Sequence, residues 1–216
     1  MDHDFWLNCW QHSRLGFHQD EFHPLLARYF PTLCKPTDTC VLVPLSGKSS
    51  DLLFFKNHLD VVANELSDIA CLDFFKENQL EYSVIQEGAF KRYQSDQLSL
   101  YQGDFFSLNA QDLPNVDWIY DRAAIIALPE LMRRQYVEHL KSFMLPNTRV
   151  FLLSLEFDQT QMKGPPFSVE QDEIKTLFQG FTIEKLAERD LTGKKFARIQ
   201  LSVSQLKETL YLISRK

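Results

Sequence analysis

The residues best suited to chemistry fall in a few short stretches, and the first is Val41-Leu-Val-Pro-Leu-Ser-Gly-Lys-Ser-Ser50. Its apolar run stops at Pro44, Gly47 follows, and a polar stretch with Ser49 or Ser50 as N-cap opens a helix. A strand, a tight loop and a helix in that order place a ligand at the carboxyl end of a parallel strand. The Gly-Lys-Ser ending demands a test for a phosphate-binding loop. That motif needs a glycine at position 42, which is Leu42 here. A dinucleotide loop fails as well, because the loop has a single glycine. What remains suits a nucleoside that carries no phosphate, with Leu45, Ser46 and Gly47 at the strand end. Lys48 reads as a ligand contact or, by default, as a surface residue of the following helix.

Three further points converge on this loop. Glu65 stands 18 residues beyond Gly47. An acid about 20 residues beyond the first ligand loop commonly accepts both ribose hydroxyls. Its other reading is a solvent-facing strand end. Asp104 offers an acceptor to an adenine amino group, with Phe105 packing on the ring; the alternatives are a capping aspartate and a core phenylalanine. Arg122 can bind a carboxylate or another anion with two parallel hydrogen bonds. Its alternative is a structural ion pair with Asp121 or another acid. Trp10 and Phe17 flank a polar break at Phe17-His18-Gln19, which makes them candidates for a binding wall as well as for the core.

Other chemistries fit poorly. His3, His12, His18 and His23 match no zinc spacing, so no metal is expected. No Gly-x-Ser-x-Gly elbow is present and no cysteine has a neighbour that marks it as a nucleophile. A net charge of −6 argues against a nucleic-acid partner. Cys9, Cys34, Cys40 and Cys71 show no Cys-x-x-Cys spacing, and the start Met1-Asp-His-Asp lacks a signal peptide, so a cytoplasmic protein with reduced thiols is expected. No apolar run reaches the ~20 residues of a membrane helix.

The elements that must position these residues alternate. Strands are expected at 41–43, 61–65, two short ones within 83–102, 116–120 and 148–155, with helices at 49–57, 67–77, 129–143 and 170–178. In the 67–77 helix Ala70, Leu72 and Phe75 form the expected buried face, and Ser168 the N-cap of the last. Closing strands are expected at 181–186, 195–203 and 209–213. This alternation predicts an α/β fold with a mostly parallel central sheet and an antiparallel C-terminal strand. Right-handed crossovers bring the strand–helix loops to one edge. Residues 2–30 read as two helices, the second at about 24–29 and ending near Pro31, outside the repeating core. A single domain, 1–216, with a helical lid at 1–35 is expected.

At this point the motifs meet a family. The chain resembles the bacterial thiopurine S-methyltransferases, of the class I S-adenosylmethionine-dependent branch with a Rossmann-like fold. The resemblance runs nearly end to end. It is carried by Phe5-Trp6 with Trp10, Gly16-Phe-His-Gln19, Val41 to Ser49, Glu65-Leu-Ser67, Gly103-Asp-Phe-Phe106, Tyr120-Asp-Arg-Ala-Ala124, Leu155-Glu-Phe-Asp-Gln159 and Gly164-Pro-Pro-Phe-Ser-Val169. It implies S-adenosyl-L-methionine as cofactor, contacted at Trp10, Leu45, Glu65 and Arg122, with Gly47 in the loop and Asp104 and Phe105 beside the adenine. It implies a substrate pocket bordered by Phe17 and Arg122, with Gly164-Pro-Pro-Phe167 in its wall. Ser46 stands where the family usually has Cys, His58-Leu59 replaces a Gly-His turn, and Ala63 and Asn64 replace a glycine and an apolar residue. The implied acceptor is the sulfur of a thiopurine or similar aromatic thiol; selenium or tellurium oxyanions, small thiols or a non-catalytic nucleoside-binding role are the alternatives. A monomer is expected.

Overall fold

The computed structural model describes residues 3–216. In chain order its elements are α1 (His3–Gln11), α2 (Pro24–Leu33), β1 (Cys40–Val43), α3 (Asp51–Lys56), β2 (Asp60–Glu65), α4 (Asp68–Glu77), β3 (Ser83–Glu87), β4 (Phe90–Ser95), β5 (Leu98–Gln102), β6 (Trp118–Arg122), α5 (Glu130–Ser142), β7 (Arg149–Glu156), α6 (Gln171–Leu177), β8 (Phe181–Asp190), β9 (Lys195–Phe196), β10 (Ile199–Gln200) and β11 (Lys207–Arg215). Nine strands form one sheet in the order β3-β4-β5-β2-β1-β6-β7-β11-β8, and β9 pairs with β10 apart from it.

The five central strands, β5-β2-β1-β6-β7, run parallel. Antiparallel pairs flank them on both sides: β3–β4–β5 on one edge, β7–β11–β8 on the other. The C-terminal antiparallel strands match the expected pattern, while the 83–102 segment supplies one strand more than expected. Chain order reverses at β1, whose neighbours are β2 and β6. The carboxyl ends of these three strands therefore border a crevice of the kind in which doubly wound sheets hold ligands.

Every residue of β1 is buried, as a central parallel strand requires. Leu42 faces the core made with α5 and α6, through Tyr136, Leu140 and Ile174. Val41 and Val43 face the second core, made with Phe30 of α2, Phe55 of α3 and Phe74 of α4. Helix α2 is thus part of the core through Leu25, Leu26 and Phe30. It also continues past Pro31 to Leu33: the missing proline N–H removes one helical bond, and the Cys34 amide still donates to Phe30.

Other boundaries shift for local reasons. Ser67 caps α4, its Oγ accepting the Ala70 amide at 3.3 Å. The buried face of α4 is Ala70, Cys71, Phe74 and Phe75, whereas Leu72 is exposed. Ser168 does not cap α6; its Oγ accepts the Phe157 amide at 3.0 Å, and Glu170 holds the cap position. Asp121 and Arg122 lie within β6 rather than beyond it. The 195–203 stretch is a two-residue hairpin, not a long strand. Among the described residues no helix is long and apolar enough to cross a membrane.

Candidate active site

The loop after β1 is held in an unusual backbone shape. Leu45 has φ +48° and Gly47 φ +56°. A left-handed leucine costs on the order of 1–3 kcal/mol and persists only where its surroundings fix it. Here the fixing partners belong to β2. The Ser46 amide donates to the Asn64 carbonyl at 2.8 Å, and the Gly47 amide donates to Glu65 Oε2 at 2.8 Å. Glycine at 47 also lets α1 come down onto the loop: a Cβ there would sit 3.3 Å from the Trp10 ring.

Glu65 ends β2 and is buried, which removes the solvent-facing alternative. Its second oxygen, Oε1, accepts the Ser67 amide at 2.7 Å. Burial pushes the carboxyl up to about 7, against the opposing pull of the Ser67, Gly47 and Leu66 amides. Each oxygen already takes one backbone hydrogen bond. Each retains lone-pair capacity for a ligand hydroxyl.

Arg122 ends β6 and is paired inside the protein. Its Nε donates to Asp51 Oδ2 at 2.5 Å and Nη2 to Ser49 Oγ at 2.6 Å. Asp51 is fully buried and also accepts from the Tyr120 hydroxyl at 2.9 Å and the His23 amide at 2.8 Å. Burial alone would raise the Asp51 carboxyl, but Arg122 and these donors outweigh it and hold it below its ordinary value. The structural ion pair is therefore real, with Asp51 as the acid. Arg122 still lines the cleft described next.

Two clefts meet at the strand ends. The first, with about 700 Å³ of empty space, is lined by residues 45–49, Glu65, Leu66, Arg122, Trp10 and His18. The second, about 610 Å³, is walled by Phe5, Ile126, Pro165, Pro166, Phe196 and Ile199, with Cys9, Arg14 and Gly16 completing it. Trp6, Phe17, Ala123 and Ala127 line both. Ala123 has φ +71°, a second left-handed side chain directly after a parallel strand. The Pro165–Pro166 wall is tied to the short turn after β6 by the Phe167 amide, which donates to the Ile126 carbonyl at 2.7 Å.

The structure thus brings Trp10, Leu45, Gly47, Glu65 and Arg122 together in the first cleft and sets Phe17 at the junction. Arg122 lines the first cleft and not the second. Asp104 and Phe105 are not among the residues lining either cleft. Asp104 Oδ1 accepts the Phe106 amide at 3.1 Å as a cap, and Phe105 is fully buried, stacked on Phe143 beside Tyr136. Lys48 is not a surface residue: it is buried, and its Nζ reaches Glu77 Oε1 at 2.6 Å. Sequence reasoning missed Trp6, Ser49, Asp51 and Ala123. Trp6 was visible as an aromatic one helical turn from Trp10; the others had no sequence signal, because their partners lie far along the chain.

All 216 residues match the profile of the thiopurine S-methyltransferase family. The chain belongs to that family. A relative from Pseudomonas fluorescens (strain SBW25), named thiopurine S-methyltransferase, is 44% identical over 98% of both chains. The fold is shared with a SAM-dependent methyltransferase from Anabaena variabilis, with TM-score 0.71 and 14% identity over 99% of this chain and 95% of that one. It is also shared with the 1,6-didemethyltoxoflavin-N1-methyltransferase of Burkholderia thailandensis, solved with bound S-adenosylhomocysteine, with TM-score 0.64 and 13% identity over 98% and 87%. This methyltransferase uses S-adenosyl-L-methionine and transfers the methyl group to sulfur. Its fold is the class I Rossmann-like arrangement.

Proposed function

We propose that the acceptor is a thiopurine or a similar aromatic or heterocyclic thiol. The observation that carries this reading is the junction of two unlike clefts at Trp6, Phe17, Ala123 and Ala127. One cleft offers a buried carboxylate and a strained polar loop; the other offers aromatic and proline walls suited to a flat ring.

The first cleft fits the cofactor. Glu65 accepts the ribose hydroxyls, Leu45 and the Gly47 backbone cradle the nucleoside, and Trp10 covers it. Lys48, the only cation of the loop, is committed to Glu77 and Asp73, which suits a nucleoside without phosphate. Arg122 serves the same side, its guanidinium oriented by Asp51 and Ser49. Asp104 and Phe105 act indirectly. The Gly103 amide donates to the Glu65 carbonyl at 2.9 Å, so the turn before them steadies the end of β2.

Bound S-adenosylmethionine supplies a methyl group on a cationic sulfur; the acceptor's sulfur lone pair forms the new bond to carbon, and the departing sulfur keeps the electrons of the old one. The chain's residues bind, orient and exclude water. Orientation alone contributes up to ~7–11 kcal/mol in well-aligned systems. Trp6 and Phe17, in edge contact at 5.5 Å, wall the junction and lower its effective dielectric, which strengthens the attraction between thiolate and sulfonium. A heteroaromatic thiol is acidic enough to need no general base.

The reading places a monomer in the cytoplasm. Cys9, Cys34, Cys40 and Cys71 are free thiols, as a reducing compartment maintains. Calorimetry with S-adenosylhomocysteine, followed by a methyl-acceptor screen of thiopurines, small thiols, selenite and tellurite, tests the proposal. Tight binding with preferred turnover of ring thiols is expected. Binding with turnover of selenite or tellurite alone would move the acceptor to the oxyanions.

A further inference from the structure

The second cleft holds one charged side chain among the described residues that line it, Arg14. Arg14 lines this cleft and not the first, and it is exposed to solvent. Its place is built. One guanidinium nitrogen donates to Asn8 Oδ1 of α1, and its amide donates to the Cys9 carbonyl at 2.8 Å. The turn carrying it is clamped from the other side, where the Gly16 carbonyl accepts the Arg198 amide at 3.1 Å. A Cβ on Gly16 would lie 2.9 Å from Ile199, so the turn and the β9–β10 hairpin meet at van der Waals contact. None of the ion pairs among the described residues involves Arg14.

We propose that Arg14 makes this enzyme selective for ring thiols that carry a carboxylate away from the reacting sulfur. The acceptor sulfur must reach the junction where both clefts meet, so the far end of the ring falls in the part of the cleft that Arg14 lines. A planar guanidinium recognises a carboxylate with two parallel hydrogen bonds. The inference rests on the thiol-acceptor reading above.

The test compares initial rates with saturating S-adenosylmethionine on 4-mercaptobenzoate and on thiophenol, for the full-length enzyme and for Arg14→Gln and Arg14→Lys. The quantity read is the ratio of kcat/KM for the carboxylate-bearing thiol over the neutral one. Arg14→Gln should lower that ratio about tenfold, through KM, and Arg14→Lys should retain most of it. A ratio that Arg14→Gln leaves at the wild-type value overturns the inference while leaving the thiol reading intact. An enzyme that binds S-adenosylhomocysteine but methylates neither thiol overturns both.

Discussion

Glu65 and Gly47 are joined directly: the amide of the loop glycine donates to the Glu65 carboxylate at 2.8 Å. In the proposed cofactor site, the residue that accepts the ribose hydroxyls therefore also sets the shape of the loop that cradles the nucleoside. Glu65→Gln puts an NH2 group against either the Gly47 or the Ser67 amide, where donor meets donor. We expect affinity for S-adenosylhomocysteine to fall by about 1.5–3 kcal/mol, the worth of a charged hydrogen bond. Calorimetry on the purified variant reads this; wild-type affinity would separate Glu65 from the cofactor.

The same carboxyl predicts a pH dependence. Its pKa is about 7 in the folded protein against 4.5 ordinarily, so the folded chain holds the proton more tightly than the unfolded one. Its contribution to stability is greatest below pH 4.5, declines as pH rises towards 7 and is flat above, a change of up to about 3 kcal/mol. Cofactor binding runs the other way, because the ionised carboxylate is the better acceptor for ribose hydroxyls. Affinity should rise from pH 6 to 8, and Glu65→Gln should flatten that rise. An unchanged slope in the variant would assign it to another group.

Asp51 and Arg122 are predicted to matter more for stability than the other residues at the first cleft. Asp51 balances Arg122 while fully buried, and it receives Tyr120 and the His23 amide. Asp51→Asn leaves the guanidinium without a counter-charge, at a cost of about 3–5 kcal/mol in chemical denaturation. Arg122→Ala should lose stability on the same scale, since it strands the carboxylate. Either variant unfolding at the wild-type midpoint would show that the pair is solvated.

Backbone strain at the site gives a fourth outcome. Ala123 has φ +71° and lines both clefts. Ala123→Gly relieves the left-handed conformation and should be neutral or stabilising by up to about 1 kcal/mol. Ala123→Val, branched at the same φ, should destabilise by more than ~1 kcal/mol and raise KM for both donor and acceptor. Thermal unfolding and steady-state kinetics of the two variants check this; equal stabilities would mean that the position is unstrained.

Much of this site is legible in sequence, because strand ends announce themselves. Val41 to Val43 is an all-buried strand, Gly47 marks the turn, and Glu65 and Arg122 close the two parallel strands that flank β1. What escaped depends on one-residue frames and distant partners. Phe105 and Phe106 are adjacent in sequence, yet the capping turn at Asp104 sends Phe105 into the core against Tyr136 and Phe143. Lys48 looks solvent-facing until α4 brings Glu77 to it, 29 residues on. Asp51 reads as an ordinary acid in a first helical turn; its role appears only when β6 delivers Tyr120 and Arg122 beside it.

The central claim is that nucleoside and ring thiol meet at the junction walled by Trp6, Phe17 and Ala123. A crystal structure with S-adenosylhomocysteine and a thiopurine tests it most directly. We expect the ribose hydroxyls on Glu65, the homocysteine sulfur facing the junction and the purine ring between Phe17 and Pro166. A ribose held elsewhere, or a thiopurine outside the second cleft, would contradict it.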